Sequence, residues 1–298
     1  MTTSMRPRDI LLALLIVFIW GVSFVAIKFG LEEMPPFALC AWRFLLAAVP
    51  LVFFVPRPAV SWTLLAGYGI AIGVVQFGLL FLAIAIGMPA GLSSLVIQAQ
   101  VFFTIGLSVV ILGERVRPAQ IAGAVIAASG LVILGWAKMA SGLGLGFALV
   151  LGAALAWGAG NVIAKRAGRV ELLGFIAWSS LAAPIPLALL SLLFESQTAL
   201  LDPVLHPTFK VWGALLFIAY GATVFGFGSW AHLLARHDAA VVSPYALLIP
   251  VSAMASTALV FGERLNPAQA SGAALVIAGL ALAVFGPGLF TMLRTRLR

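Results

Sequence analysis

Arg43 is the residue that most needs explaining. It stands about seven residues into an apolar run that begins at Pro36, roughly 10 Å along a helix at 1.5 Å per residue. A charge at that depth is costly unless it faces a cavity or a partner. A guanidinium fork there would dock a substrate carboxylate; the alternatives are snorkelling to the interface or a bond to Glu32 or Glu33. Other polar side chains interrupt apolar runs at Gln76, Gln98, Gln100, Asn161, Ser243 and Tyr245. Buried amides need partners, which another helix or a wet cavity can supply. Asn161 follows Trp157 by four residues, so the two share a helix face and read as a substrate wall. Trp20 with Phe24 is the matching pair. Trp42, Trp178 and Trp230 also lie deep, whereas Trp62, Trp136 and Trp212 fall near run ends, where an interfacial belt is expected. Aromatic walls suit a flat or bulky apolar side chain. The candidate binding set is Trp20, Phe24, Arg43, Gln76, Gln98, Trp157, Asn161, Trp178, Trp230 and Tyr245. Gly91, Pro244 and Pro250 are candidate hinges, because they loosen two apolar runs.

The acids are informative by where they are not. All nine, from Asp9 to Glu263, fall in connections or at run ends. Ion-coupled carriers commonly use a membrane-embedded carboxylate, and none is available. Facilitated diffusion is the simplest mechanism; proton coupling through His232 or a run-end acid is its rival. No G-x-S-x-G, H-E-x-x-H or P-loop pattern occurs. With three scattered His and Cys40 alone, neither a metal cluster nor a disulfide is expected. The reading is of a non-enzyme without a cofactor. A membrane-embedded enzyme or a channel is the alternative of another class.

The elements that carry these residues are helices in a bilayer. Of 298 residues, 63% are hydrophobic and 9% charged, far from the roughly 25% charged of a soluble domain. Breaks at Pro and Gly predict ten helices, at 10–29, 36–55, 63–87, 89–112, 118–137, 143–165, 171–194, 209–233, 239–262 and 267–290. Lys28 and Lys165 then end the first and sixth, and both read as interfacial anchors. With the N-terminus inside, the inner connections hold 12 Lys and Arg and the outer ones 4, Lys28, Lys138, Lys210 and Arg264; Arg43 completes the 17. That bias predicts both termini cytoplasmic in the inner (plasma) membrane. It also explains the net charge of +8 without nucleic acid. The expected partners are a small-molecule substrate and the lipid bilayer, for a monomer or homodimer.

The chain repeats itself. Gly113-Glu114-Arg115 with Pro118-Ala119-Gln120 returns as Gly262-Glu263-Arg264 with Pro267-Ala268-Gln269, at an offset of 149 that also relates Gly123 to Gly272 and Gly130 to Gly279. Trp20-Gly21 and Lys28 return as Trp157-Gly158 and Lys165 at 137, and Trp42 and Pro50 as Trp178 and Pro186 at 136. Two halves, 1–138 and 139–298, hold five helices each. An odd number inverts the second half in the membrane, the arrangement of secondary transporters that work by alternating access. These G-E-R-x-x-P-A-Q segments and W-G pairs resemble the EamA repeat of the drug/metabolite transporter superfamily, most closely the YddG-type aromatic amino acid exporters. The resemblance spans about residues 10–286. It implies a ten-helix fold and export of amino acids or other metabolites.

Overall fold

The computed structural model describes residues 5–168, 170–237 and 239–296; Arg169, Asp238 and Arg298 lie outside the described residues, as do the side chains of Ser243, Arg294 and Arg296. The described chain is all helical. Its principal helices are α1 (Pro7–Leu31), α2 (Pro36–Val52), α3 (Trp62–Ala85), α4 (Ala90–Leu112), α5 (Pro118–Ala140), α6 (Gly144–Ala167), α7 (Leu172–Phe194), α8 (Phe209–Arg236), α9 (Pro244–Phe261) and α10 (Pro267–Arg296). All but α2 are long and apolar enough to cross a bilayer, and α2 is a shorter apolar helix of 17 residues. It ends at Val52 instead of running to 55, because Pro56 disfavours helical backbone in the residue before it. Exposed Leu, Val, Ile and Phe cover the outside of the bundle, as hydrocarbon requires and water would not tolerate.

The two halves match in detail. Each G-E-R segment begins with a glycine in left-handed backbone, Gly113 at φ 68° and Gly262 at φ 66°. That conformation ends α4 and α9 without a Cβ penalty. The regular helix is interrupted at equivalent places. π-helical backbone occupies Ile70–Gln76 of α3 and Phe217–Phe225 of α8, and 3₁₀ backbone occupies Ile97–Ala99 of α4 and Ser243–Leu248 leading into α9. The interruption of α4 therefore lies beyond Gly91, whereas Pro244 sits inside that of α9. Such stretches often mark functional positions in helices.

Packing obeys the same pseudo-two-fold. α1 packs on α9 as α6 packs on α4, and α3 packs on α6 as α8 packs on α1. α5 and α10 cross on the axis. A methyl group on Gly123 would stand 2.5 Å from the Gly279 carbonyl oxygen, and one on Gly130 2.5 Å from that of Gly272. Small residues allow this approach, which matters where lipid removes the hydrophobic drive for helices to associate. Gly130→Leu is expected to lower the thermal midpoint of detergent-solubilised protein, at a cost of roughly 1–3 kcal/mol from overpacking. Gly106→Leu, where a new Cβ meets nothing within 4 Å, is the control. Equal losses in the two variants would show that the crossing is not tightly packed.

Candidate transport site and its end contacts

Lys28, in the last turn of α1, does not snorkel. Its Nζ donates to Glu263 Oε1 at 2.8 Å and lies 4.2 Å from the centre of the Phe261 ring. The same carboxylate accepts Ala90 N–H at 3.2 Å and Gly91 N–H at 3.0 Å, the first amides of α4. Lys165, in the last turn of α6, repeats the arrangement at the other end. Its Nζ reaches the Glu114 oxygens at 3.0 and 2.9 Å and Ser108 Oγ at 2.9 Å. The reading of both lysines as interfacial anchors is therefore corrected: each is held by the glutamate of the opposite half. Their exposures differ. The Lys28 and Glu263 side chains are 31% and 15% exposed, those of Lys165 and Glu114 43% and 48%, so the first pair is the more deeply buried. Burial pushes the Glu263 carboxyl up, but the Lys28 ammonium, the Gly91 amide and the Thr257 hydroxyl outweigh it and hold it below its ordinary value.

Arg43 is buried in α2 with 4% of its surface exposed. Its guanidinium carbon lies 3.7 Å from the centre of the Phe77 ring, 5.0 Å from Phe44 and 5.8 Å from Phe81. Nε and Nη1 are buried without a hydrogen-bond partner among the described residues. Neither acid weighed as its partner engages it: Glu32 holds Lys210, and Glu33 accepts from Thr208. Three aromatic faces offset part of the charge, but the Nε and Nη1 donors remain unmet, which costs free energy in a protein interior. Gln76, at the end of the π stretch of α3, is 2% exposed and its Oε1 likewise lacks a partner among the described residues. Gln98 is buried in the 3₁₀ turn of α4. The first half thus holds unmet donors and an unmet acceptor inside the membrane span.

The aromatic candidates separate into groups. Trp20 Nε1 donates to Ala222 O at 2.9 Å, and its ring lies 5.2 Å from those of Phe227 and Trp230. Gly226 makes room, since a methyl there would sit 2.5 Å from Trp20 Nε1. Tyr245 packs in the same cluster. Phe24 and Trp157 belong instead to the main core. Asn161 Nδ2 donates to Gln100 Oε1 at 2.8 Å and Thr104 Oγ1 at 3.0 Å, which ties α6 to α4. Trp178 Nε1 donates to Val55 O at 3.1 Å, and its ring packs on Trp62. Among the hinge candidates, Pro250 is buried in α9 and Gly91 gives its amide to Glu263. Two apolar grooves, of about 600 Å³ between α3 and α6 and about 390 Å³ between α4 and α5, touch none of these residues.

Sequence reasoning missed a further titratable pair besides the two Lys–Glu pairs. His237 Nε2 lies 3.0 Å from Asp9 Oδ2, both side chains nearly buried, and so joins the start of α1 to the end of α8. His232, the histidine singled out from sequence, is exposed. The signal available was an acid in the first turn of an apolar helix, which alone names no partner.

A family model described as the EamA-like transporter family matches residues 8–136 and 144–285, one match in each half. The chain belongs to the EamA-like transporter family. It is a multi-pass membrane transporter built from two inverted five-helix repeats. Probable amino-acid metabolite efflux pumps of Salmonella typhimurium and Escherichia coli K12 are 43% and 41% identical to it, over 95% of this chain and 96% of theirs. A probable terminal-alkyne amino-acid exporter of Streptantibioticus cattleyicolor is 30% identical over 90% of both chains. A solved crystal structure with 23% identity superposes with a TM-score of 0.62, covering 94% of this chain and 98% of that one; this likeness concerns the fold alone.

The Glu263 contact has a definite pH signature. A carboxyl held below its ordinary 4.5 contributes stability above that value and loses it as pH falls through the lower, folded-state value. The thermal midpoint of Glu263→Gln is expected to lie below the parent's by a constant margin from pH 5 to 8 (about one charge-assisted pair), and the margin is expected to close on acidification. A margin independent of pH down to about 3 would show that Glu263 is not held as a carboxylate.

Proposed function

We propose that this transporter exports amino acids, chiefly those with aromatic or bulky apolar side chains, from the cytoplasm across the inner membrane. It works by alternating access and facilitated diffusion, catalyses no reaction, and keeps both termini cytoplasmic. The halves 1–138 and 139–298 rock against one another. The observation that carries this reading is the crossed pairing of Lys28 with Glu263 and of Lys165 with Glu114. Each pair links the two halves at one end of the bundle, so breaking one while keeping the other opens one side at a time. The names of the efflux pumps and of the exporter support amino acids as cargo. Arg43, with its unmet donors, supports a docking point for the substrate carboxylate. The Trp20, Trp230 and Tyr245 cluster supports an aromatic preference. Placing the Lys28 end outside follows the excess of Lys and Arg on the opposite side; a C-terminal reporter active only outside the cell would reverse it.

Purified protein in liposomes is expected to equilibrate phenylalanine or leucine with no ion gradient. An imposed pH difference is expected to produce no accumulation above equilibrium, and membrane potential to have little effect on a zwitterion. Accumulation driven by pH would overturn facilitated diffusion, and Asp9 with His237 would be the first pair to vary. In the same liposomes Arg43→Met is expected to insert normally and to lower kcat/KM by about tenfold or more, the scale of one lost charge-assisted hydrogen bond. Unchanged kcat/KM would place the carboxylate elsewhere.

A further inference from the structure

We propose that Gly226 sets the preference of this transporter for aromatic side chains, by seating the Trp20 indole on α8. Gly226 acts through Trp20 and is a positioning residue. The proposal rests on the reading of the cargo as an amino acid with an aromatic or bulky apolar side chain.

The seat is made by the π stretch of α8. At its end, Gly226 N–H bonds back five residues to Gly221 O. Regular α-helix resumes from Gly226, with bonds four residues back, so the carbonyl passed over is that of Ala222. A carbonyl without a partner inside a membrane is costly. Trp20 Nε1 meets this one at 2.9 Å. The indole reaches it because residue 226 has no side chain. A methyl there would stand 2.5 Å from Nε1, 3.2 Å from Cε2 and 3.3 Å from Cδ1 of Trp20. All three atoms belong to the five-membered ring, which therefore lies on the α8 backbone. Phe227 and Trp230 hold the indole from the side, each 5.2 Å away and tilted by 52°. With its one polar hydrogen taken by Ala222, the indole presents only carbon to what lies beside it.

That neighbour is not lipid. Leu11, Leu14, Leu15 and Phe18 are the exposed large residues of α1 and mark its lipid face. At about 100° per residue Trp20 falls roughly opposite them. Trp20 is nonetheless only half-buried, near the middle of α1. Accessible surface at that depth, on the side turned to the bundle, belongs to the transport path.

The other half carries the same backbone without the glycine. At its π stretch, Phe77 N–H bonds back to Ile72 O and passes over Gly73 O, whose partner is Cys40 Sγ at 3.9 Å. Gly73 and Phe77 correspond to Ala222 and Gly226 at the offset of 149. A side chain at position 77 excludes the arrangement that Trp20 adopts. Trp157, the copy of Trp20, packs against the main core instead, and the Phe77 ring receives the Arg43 guanidinium at 3.7 Å. Glycine thus yields an apolar wall in one half, and phenylalanine a platform for a cation in the other. The first matches the side chain of the cargo and the second its carboxylate.

The test uses the full-length protein in liposomes, with phenylalanine and alanine as cargo. Gly226→Ala is expected to raise KM for phenylalanine about tenfold with kcat nearly unchanged, and to leave KM for alanine within about twofold. Gly228→Ala, where the new methyl meets Leu173 no closer than 3.8 Å, is the control on the same helix. Trp20→Phe lacks the three atoms that the methyl would strike. It is expected to lower the selectivity by itself, and Gly226→Ala is expected to add no further loss in that background. This keeps the assignment testable if Gly226→Ala alone inserts poorly. Unchanged selectivity in Gly226→Ala, equal losses for both amino acids, or a full additional loss in the Trp20→Phe background overturns the role of Gly226 and leaves the aromatic reading standing. A parent that transports both without preferring phenylalanine overturns the aromatic reading, and the role of Gly226 with it.

Discussion

Lys28 and Lys165 occupy the same position in two copies of one helix, and neither can remain charged beside lipid without an acid or water. Each finds its acid in the other half of the molecule. Charges that could have been satisfied locally, by an i, i+4 partner on the same helix, are instead satisfied across the interface. Neither half has both its lysine and its glutamate paired until the two are together. The same constraint places the carboxylates at helix ends, where amides and lysines can ligand them, and leaves the middle of the bundle free of acids. Arg43 is the exception: it is buried in α2 with its Nε and Nη1 unpartnered among the described residues.

The scaffold that holds these contacts depends on closeness more than on apolarity. Lipid is as apolar as the helix faces, so burial alone drives little association. α5 and α10 compensate by crossing glycine on glycine, and α4 and α6 by the Asn161, Gln100 and Thr104 hydrogen bonds. The helices that meet at the ends behave differently. α4 and α9 contain 3₁₀ backbone, and α3 and α8 π backbone. Irregular hydrogen bonding lets a helix bend where a regular one would resist. A tight glycine crossing and irregular helices beside it thus stand together in each half.

The repeat is not exact. Arg43 corresponds to Ser179, Gln76 to Phe225, Gly91 to Ala240 and Lys138 to Pro287. The copied residues serve both ends alike, as the two Lys–Glu pairs do. The residues that differ put Arg43, Gln76 and Lys138 in the first half alone. A transporter needs both: symmetry so that the two states resemble each other in energy, and asymmetry so that the cargo has one preferred orientation.

Much of this could be read from the chain. Ten helices, their ends at Pro and Gly, the inverted repeat and the family resemblance all follow from local pattern, since hydropathy, helix breakers and copied segments are properties of neighbouring residues. The G-E-R segments and the two lysines were visible as repeats. Their pairing was not, because Lys28 and Glu263 are far apart in sequence and nothing in either segment specifies the other. The same holds for His237 with Asp9, and for Asn161, which sequence set beside Trp157 as a substrate wall and which the structure ties to Gln100 and Thr104. Periodicity says which side of a helix a residue is on. Only the packing of ten helices decides what that side faces, because the partner of each buried polar group is chosen by three-dimensional proximity among segments the chain does not connect.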